Sequence, residues 1–297
     1  MVVTLASPAT FAAAPTAKNA SAQMVITARP ADGGEKSPRV EANDLIVTGG
    51  NAPAPVVRLE RLSGDLASMQ LFIFLDDSTR SSSLSTHFDE LKAFIESLPP
   101  TTEVAIGYMQ TGTFALQQAF TTDHEKAAGS LRLPLAMPGE NGSPYFALSD
   151  LVKRWPSKEP VRRRAVLMLT DGIDRYYGPQ TIDDPYVDNA IRSAVKDGVM
   201  VYSIYVRGAG LYGRNDWVTN MGQSHLIQVT EQTGGYAYFE AYTDPVTIAP
   251  FLYDLQERLE NQYAVTIEAS VKGLQSIKLR SAVPGLKLSG PTRVYAQ

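Results

Sequence analysis

Met69-Gln70-Leu71-Phe72-Ile73-Phe74-Leu75 is a nearly continuous apolar run that ends on Asp76-Asp77-Ser78-Thr79-Arg80-Ser81. Seven residues are too few for a buried helix, and the run has no helical period. Its aromatic and β-branched content and its polar boundary read as a strand buried on both faces, the pattern of a parallel sheet. A second run of this kind, Ala165-Val166-Leu167-Met168-Leu169-Thr170, ends on Asp171-Gly172. Between them Leu84, Phe88, Leu91, Phe94, Ile95 and Leu98 recur at helical spacing until Pro99-Pro100 stops the helix. Further strands are expected at 103–110, 113–119, 199–206 and 236–239. Further helices are expected at about 123–131, 144–155, 185–197, 222–233 and 245–260. This alternation predicts an α/β fold with a doubly wound, mostly parallel, Rossmann-like sheet.

Outside this middle the texture changes. Met24–Thr27, Asp44–Thr48 and Val56–Leu62 alternate or are β-rich, and so do Tyr263–Ser270, Ile277–Arg280 and Leu286–Leu288. The organisation expected is therefore a tail over 1–22, a β segment over 23–68, the α/β domain over 69–261 and a second β segment over 262–297. The two end segments are expected to pair into one small β-rich subdomain, because domain termini are commonly close in space. Residues 2–16 are apolar and small, and Ala20-Ser21-Ala22 has the form of a signal-peptidase site, but no Lys or Arg precedes Lys18. The tail reads either as a disordered segment or as part of an export signal, the latter placing the protein in a secreted or periplasmic location.

The chain has 297 residues, 44% hydrophobic and 20% charged, with 27 Lys+Arg against 31 Asp+Glu for a net charge of −4. Without a basic excess a nucleic-acid partner is not expected. No cysteine is present, which removes disulfides, thiolate metal sites and cysteine nucleophiles. His87, His124 and His225 are too scattered in sequence to suggest a histidine metal site or a Ser-His-Asp triad. No run approaches the roughly 20 apolar residues of a membrane-spanning helix.

Ligand sites in open α/β sheets lie beyond the C-terminal strand ends. Three segments expected there carry oxygen side chains: Asp76 to Ser81, Gly142-Ser143-Pro144, and Thr170-Asp171-Gly172. Hydroxyl and carboxylate oxygens suit a hard cation such as Mg²⁺ or Mn²⁺. Asp76, Ser78, Ser143 and Asp171 are the candidate metal ligands. Asp77 is either a surrogate ligand or a loop carboxylate facing away. Ser143 alone also reads as a helix N-cap, Asn141-Gly142-Ser143 as a glycosylation sequon, and Arg162-Arg163-Arg164 as the solvated start of a strand.

An apolar strand followed by Asp76-x-Ser78, a Gly142-Ser143 opening a helix, and an apolar strand followed by Thr170-Asp171-Gly172 together resemble the von Willebrand factor type A (VWA) domain. The flanks are similar to those of bacterial VWA-related proteins, through Asp44–Val47, Lys278 and Pro284–Leu288. So is the segment Asp174-Arg175-Tyr176-Tyr177-Gly178 with Pro185-Tyr186 and Val201–Tyr205. The resemblance implies a metal-ion-dependent adhesion site (MIDAS) of the form Asp-x-Ser-x-Ser, with a hydroxyl from a second loop and an aspartate from a third. Arg80 stands where the motif has its second serine, and Ser143 where it has threonine. An inward Arg80 would pair with Asp76 and Asp171 in place of a metal; an outward Arg80 would leave the gap to Ser81 or water.

The function expected is a non-enzymatic adhesion or assembly module. It would bind an unidentified protein partner that offers an Asp or Glu to the ion, helped by Arg80, Tyr176, Tyr177, Tyr212 and Trp217 in the upper loops. One alternative is a structural module with no metal, Arg80 pairing internally. A second is a Rossmann-like hydrolase or phosphatase with Asp76 as nucleophile. Against it, position 78 is serine rather than a second aspartate, and no Gly-x-Ser-x-Gly, Gly-x-Gly-x-x-Gly or Walker pattern occurs.

Overall fold

The computed structural model describes residues 20–31, 39–79, 81–137, 142–178, 181–207 and 215–297. Among them two sheets form. The first contains β1 (Ala20–Pro30), β2 (Leu45–Gly49), β3 (Ala52–Pro53), β4 (Val56–Arg61), β11 (Gln262–Ala269), β12 (Gly273–Ser281), β13 (Leu286–Ser289) and β14 (Arg293–Ala296). Its order is β3-β2-β12-β14-β1-β11-β4, with β13 beside β1, and every pairing is antiparallel. The second contains β5 (Met69–Asp76), β6 (Thr102–Gln110), β7 (Thr113–Thr121), β8 (Arg163–Thr170), β9 (Val199–Tyr205) and β10 (Ala237–Tyr238), in the order β10-β9-β8-β5-β6-β7. It is mixed: β6 and β7 pair antiparallel, the others parallel.

The expected fold class is therefore corrected. The chain is β-rich, and its larger sheet is the eight-stranded antiparallel one. It is not a doubly wound, mostly parallel Rossmann-like fold carrying a small β subdomain. The β share was underestimated because the end strands run longer than their apolar pattern marks: β1 covers Ala20–Pro30 where Met24–Thr27 was expected, and β12 covers Gly273–Ser281 where Ile277–Arg280 was. Ala20-Ser21-Ala22 belong to β1.

The antiparallel sheet encloses its own core. Ala22, Met24, Ile26, Val47, Val265, Ile267, Ile277 and Val294 pack together, and the cluster draws on this sheet and its connections alone. Such a sheet must curl over one apolar face. In the mixed sheet, alternate side chains of β5 feed two different cores. Leu71, Ile73 and Leu75 pack against helices α2 (Phe88–Ser97), α3 (His124–Gly129) and α7 (Ala249–Glu260). Phe72 and Phe74 pack against α4 (Pro144–Lys153), α5 (Pro185–Lys196) and α6 (Asp216–Thr233). A short α1 (Ser81–Ser85) follows β5.

Arg163, at the start of β8, ties the two sheets together. Its guanidinium donates to Leu259 O at 2.6 Å, Gln262 Oε1 at 2.7 Å and Ala67 O at 2.8 Å. It is buried among acceptors that are all uncharged, and burial holds it down to about 10. The C-terminal carbonyls of α7 supply the partial negative charge that makes this tolerable. The middle member of the arginine run is thus an internal strut, not part of a solvated strand start. Arg29 adds a second tie, pairing with Asp254 at 2.5 Å.

Candidate functional site

The register Leu75↔Leu169 sets the ends of β5 and β8 side by side. Asp76 and Thr170 are consequently neighbours, and Thr170 Oγ1 donates to Asp76 Oδ2 at 2.9 Å. The other oxygen, Oδ1, accepts from Ser78 N at 3.0 Å and Ser78 Oγ at 2.9 Å. Asp76 is buried. Burial pushes its carboxyl above the ordinary value and Asp171 pushes the same way, against Arg175 and the Ser78 hydrogen bonds.

Asp171 follows β8 directly and is buried beside the helix α6. Gly172 has φ +68°, and Gly222 of α6 sits so close that a Cβ on it would lie 2.3 Å from Asp171 O. Two glycines thus let helix and loop touch backbone to backbone. Asp171 Oδ1 accepts from Ile173 N at 3.0 Å. Oδ2 meets Arg175 Nη2 at 2.5 Å, and the Arg175 side chain is only 10% exposed. Sequence reasoning assigned no role at this site to Arg175. The available signal was its position four residues beyond Asp171, just past a strand end.

Ser143 caps α4, accepting from Phe146 N at 3.1 Å. Its hydroxyl donates to Asp174 Oδ2, not to Asp76 or Asp171. Asp174 Oδ1 in turn accepts from Tyr176 N at 2.8 Å and Tyr177 N at 2.9 Å. Gly142 O accepts from Arg175 N at 2.6 Å. The loop carrying Arg175 and the two tyrosines is therefore clamped to the start of α4. Tyr176 lies across Gly142, where a Cβ would come within 1.9 Å of its ring. Nearby, His225 sets Nε2 3.2 Å from Thr181 O and stands edge-on to Tyr145 at 5.8 Å. Burial holds this imidazole below its ordinary value, opposed by Asp184.

Asp77, next to Asp76, directs its carboxylate to a separate set of donors. It is buried, and it accepts from Arg132 Nη1 at 2.6 Å, Gln110 Nε2 at 2.6 Å and Leu135 N at 3.0 Å. Through these bonds it fastens the 131–137 segment, whose Leu135 and Met137 are exposed.

Of the residues expected to meet a partner, Tyr176, Tyr177 and Trp217 are each about half exposed, at 51%, 49% and 53%. Trp217 opens α6, its N donating to the cap Asn215 at 3.0 Å. Arg80 and Tyr212 lie outside the described residues, as does Asn141 of the sequon.

Among the described residues no group of three or more His, Asp or Glu side chains is arranged to hold a metal ion. The four expected ligands do not fit one as they stand. Every oxygen of Asp76 and Asp171 already meets a protein donor, and Ser143 is engaged elsewhere. Two unit charges 4 Å apart interact by about 4 kcal/mol at an effective dielectric near 20, so a divalent ion that close to Arg175 would meet about 8 kcal/mol of repulsion.

No family profile matches this sequence, and no curated protein matches it. Solved structures with some likeness include an aerotolerance-related membrane protein from Bacteroides fragilis, at 14% identity and TM-score 0.46, covering 65% of this chain and 98% of that one. Another is the conserved hypothetical protein BatB from Bacteroides thetaiotaomicron, at 15% identity and TM-score 0.45, covering 65% and 97%. A third is the pilus adhesin SpaC from Lactobacillus rhamnosus GG, at 9% identity and TM-score 0.47, covering 88% of this chain and 49% of that one. No helix among the described residues is long and apolar enough to cross a membrane.

Proposed function

We propose that this chain is a non-enzymatic, VWA-like protein-binding module that docks through the loops at the C-terminal ends of β5 and β8. The observation that carries the reading is the pair Tyr176 and Tyr177. Both are half exposed, and both backbone N–H groups are pinned to the buried Asp174. Aromatic side chains on a pre-ordered base lose little entropy on binding and supply large contact areas. Trp217 extends the same supply of exposed rings.

Mg²⁺ or Mn²⁺ completed by a partner's carboxylate is the other form of this reading. It requires Arg175 to leave Asp171, so the form favoured works without a divalent ion. A purely structural role is the second reading, favoured by the same Arg175–Asp171 pair; here Arg175 takes the part first given to Arg80. Hydrolysis through Asp76 finds no support in a carboxylate already accepting three hydrogen bonds. An extracytoplasmic location belongs to the proposal and is checked by cell fractionation.

The test is affinity capture with the full chain, its Tyr176→Ser/Tyr177→Ser double variant and Trp217→Ser, each with Mg²⁺ or with EDTA. A partner held by the parent in both buffers and lost from the tyrosine variant supports the reading. Equal capture by parent and variant removes the loops from the function and leaves the structural role.

A further inference from the structure

We infer that Arg175 is the resident cation of the Asp76–Asp171 site, standing in the chain's own covalent structure where a divalent ion would otherwise be needed. This goes beyond the docking reading and is decided by cation binding alone, so either can fail without the other.

The geometry is specific. Two buried carboxylates come from the ends of adjacent strands, with Thr170, the residue before Asp171, bonded directly to Asp76. Such a pair needs positive charge. Arg175 provides it through two contacts to one carboxylate, Nη2 to Oδ2 at 2.5 Å and Nη1 to Oδ1 at 3.4 Å. A planar guanidinium suits that two-point grip. The position of Arg175 is not left to side-chain chance. Its own backbone N donates to Gly142 O, and Asp174 beside it is bonded to Ser143, Tyr176 and Tyr177. The loop therefore delivers the guanidinium to Asp171 from a fixed anchor. The hydroxyls that could ligate an ion have been turned to serve the same arrangement: Ser78 and Thr170 donate to Asp76, and Ser143 donates to Asp174.

The inference has a second half. The oxygens that Arg175 satisfies are those a hard cation would take, so removing the guanidinium without disturbing the loop opens the pair to Mg²⁺ or Mn²⁺. The experiment titrates Mn²⁺ into EDTA-stripped, full-length protein, with electron paramagnetic resonance to count free ion and thermal melting as a second readout. Wild type and Arg175→Lys are expected to show neither binding nor a melting shift. Arg175→Ser is expected to bind Mn²⁺ at least about tenfold more tightly than wild type and to melt higher as the ion is added. Adding Asp171→Asn to Arg175→Ser should abolish both effects. Circular dichroism confirms folding, and Arg175→Gln replaces the serine variant should that one not fold. Wild-type Mn²⁺ binding that Asp171→Asn abolishes would overturn the inference. So would a folded Arg175→Ser or Arg175→Gln that binds no more tightly than wild type.

Discussion

Replacing Gly222 by alanine sets two effects of known size against each other. Gly222 lies inside α6, where Gly→Ala ordinarily stabilises a helix by about 1 kcal/mol. The new Cβ would lie 2.3 Å from Asp171 O and 3.1 Å from Ile173 Cγ1. Ordinary contact begins near 3.4 Å, so backbone must separate from backbone by about 1 Å. Neither side yields easily. Asp171 is held by Ile173 N and Arg175, and a Cβ at Gly172 would in turn meet Gly222 O at 2.5 Å. Overpacking of this kind costs about 1–3 kcal/mol. With backbone atoms on both sides of the clash the cost falls in the upper part of that range and outweighs the propensity gain, so Gly222→Ala should lose up to about 2 kcal/mol. Gly129, the last residue of α3, has nothing within 4 Å of its would-be Cβ, so Gly129→Ala should be neutral or gain up to about 1 kcal/mol. Thermal melting followed by circular dichroism, at about 2 °C per kcal/mol for a chain of this size, should place the two variants on opposite sides of wild type. A Gly222→Ala protein melting at or above wild type would show that the close approach does not position the Asp171 loop.

Arg163→Met leaves Leu259 O, Gln262 Oε1 and Ala67 O without their donor, and urea unfolding should register a loss of about 3–5 kcal/mol; a loss under about 1 kcal/mol would deny its role as a strut. Burial alone would raise the Asp77 carboxyl, but hydrogen bonds from Arg132, Gln110 and Leu135 N outweigh it and hold the folded-state value below 3.8. A depressed folded value means stability that is present above pH 3.8 and lost as pH falls through the folded value, so Asp77→Asn should flatten the acid limb of the stability curve below about pH 4. An unchanged limb in urea titrations at several pH values would contradict this. Ser143→Ala removes both the cap of α4 and the donor to Asp174, and should cost about 1–2 kcal/mol while Ser143→Thr costs little.

The strands that decide the mixed sheet were legible because burial on both faces writes an apolar run with no period. Met69–Asp76, Arg163–Thr170 and Val199–Tyr205 each do this. The antiparallel sheet was legible strand by strand but not in extent. Alternation marks a half-buried strand without saying how many others it joins, and here the pairings of β1 with β11, β4 with β11 and β2 with β12 each join residues about two hundred positions apart or more. At the site, the nearness of Asp76 and Asp171 followed from strand ends alone. The partner of Asp171 did not, because Gly172 to Gly178 is irregular loop whose course is set by Asp174, Gly142 and Ser143 rather than by any pattern of its own. A motif frame drew attention to Arg80, while the guanidinium that reaches Asp171 comes from a different loop.

The pairing of β1 with β11 has a consequence for how the chain reaches this shape. When Ala20–Pro30 leaves the ribosome, the strand it will lie against is still more than two hundred codons away. Met24 and Ile26 therefore stay without their final neighbours while β5 to β10 are made. Chain-closure entropy grows only logarithmically with the intervening length, and a middle already folded around β5 shortens the gap further. The expected order is thus the middle first and the outer sheet last, with β1 exposed in the interval as an unpaired, apolar edge in need of shielding.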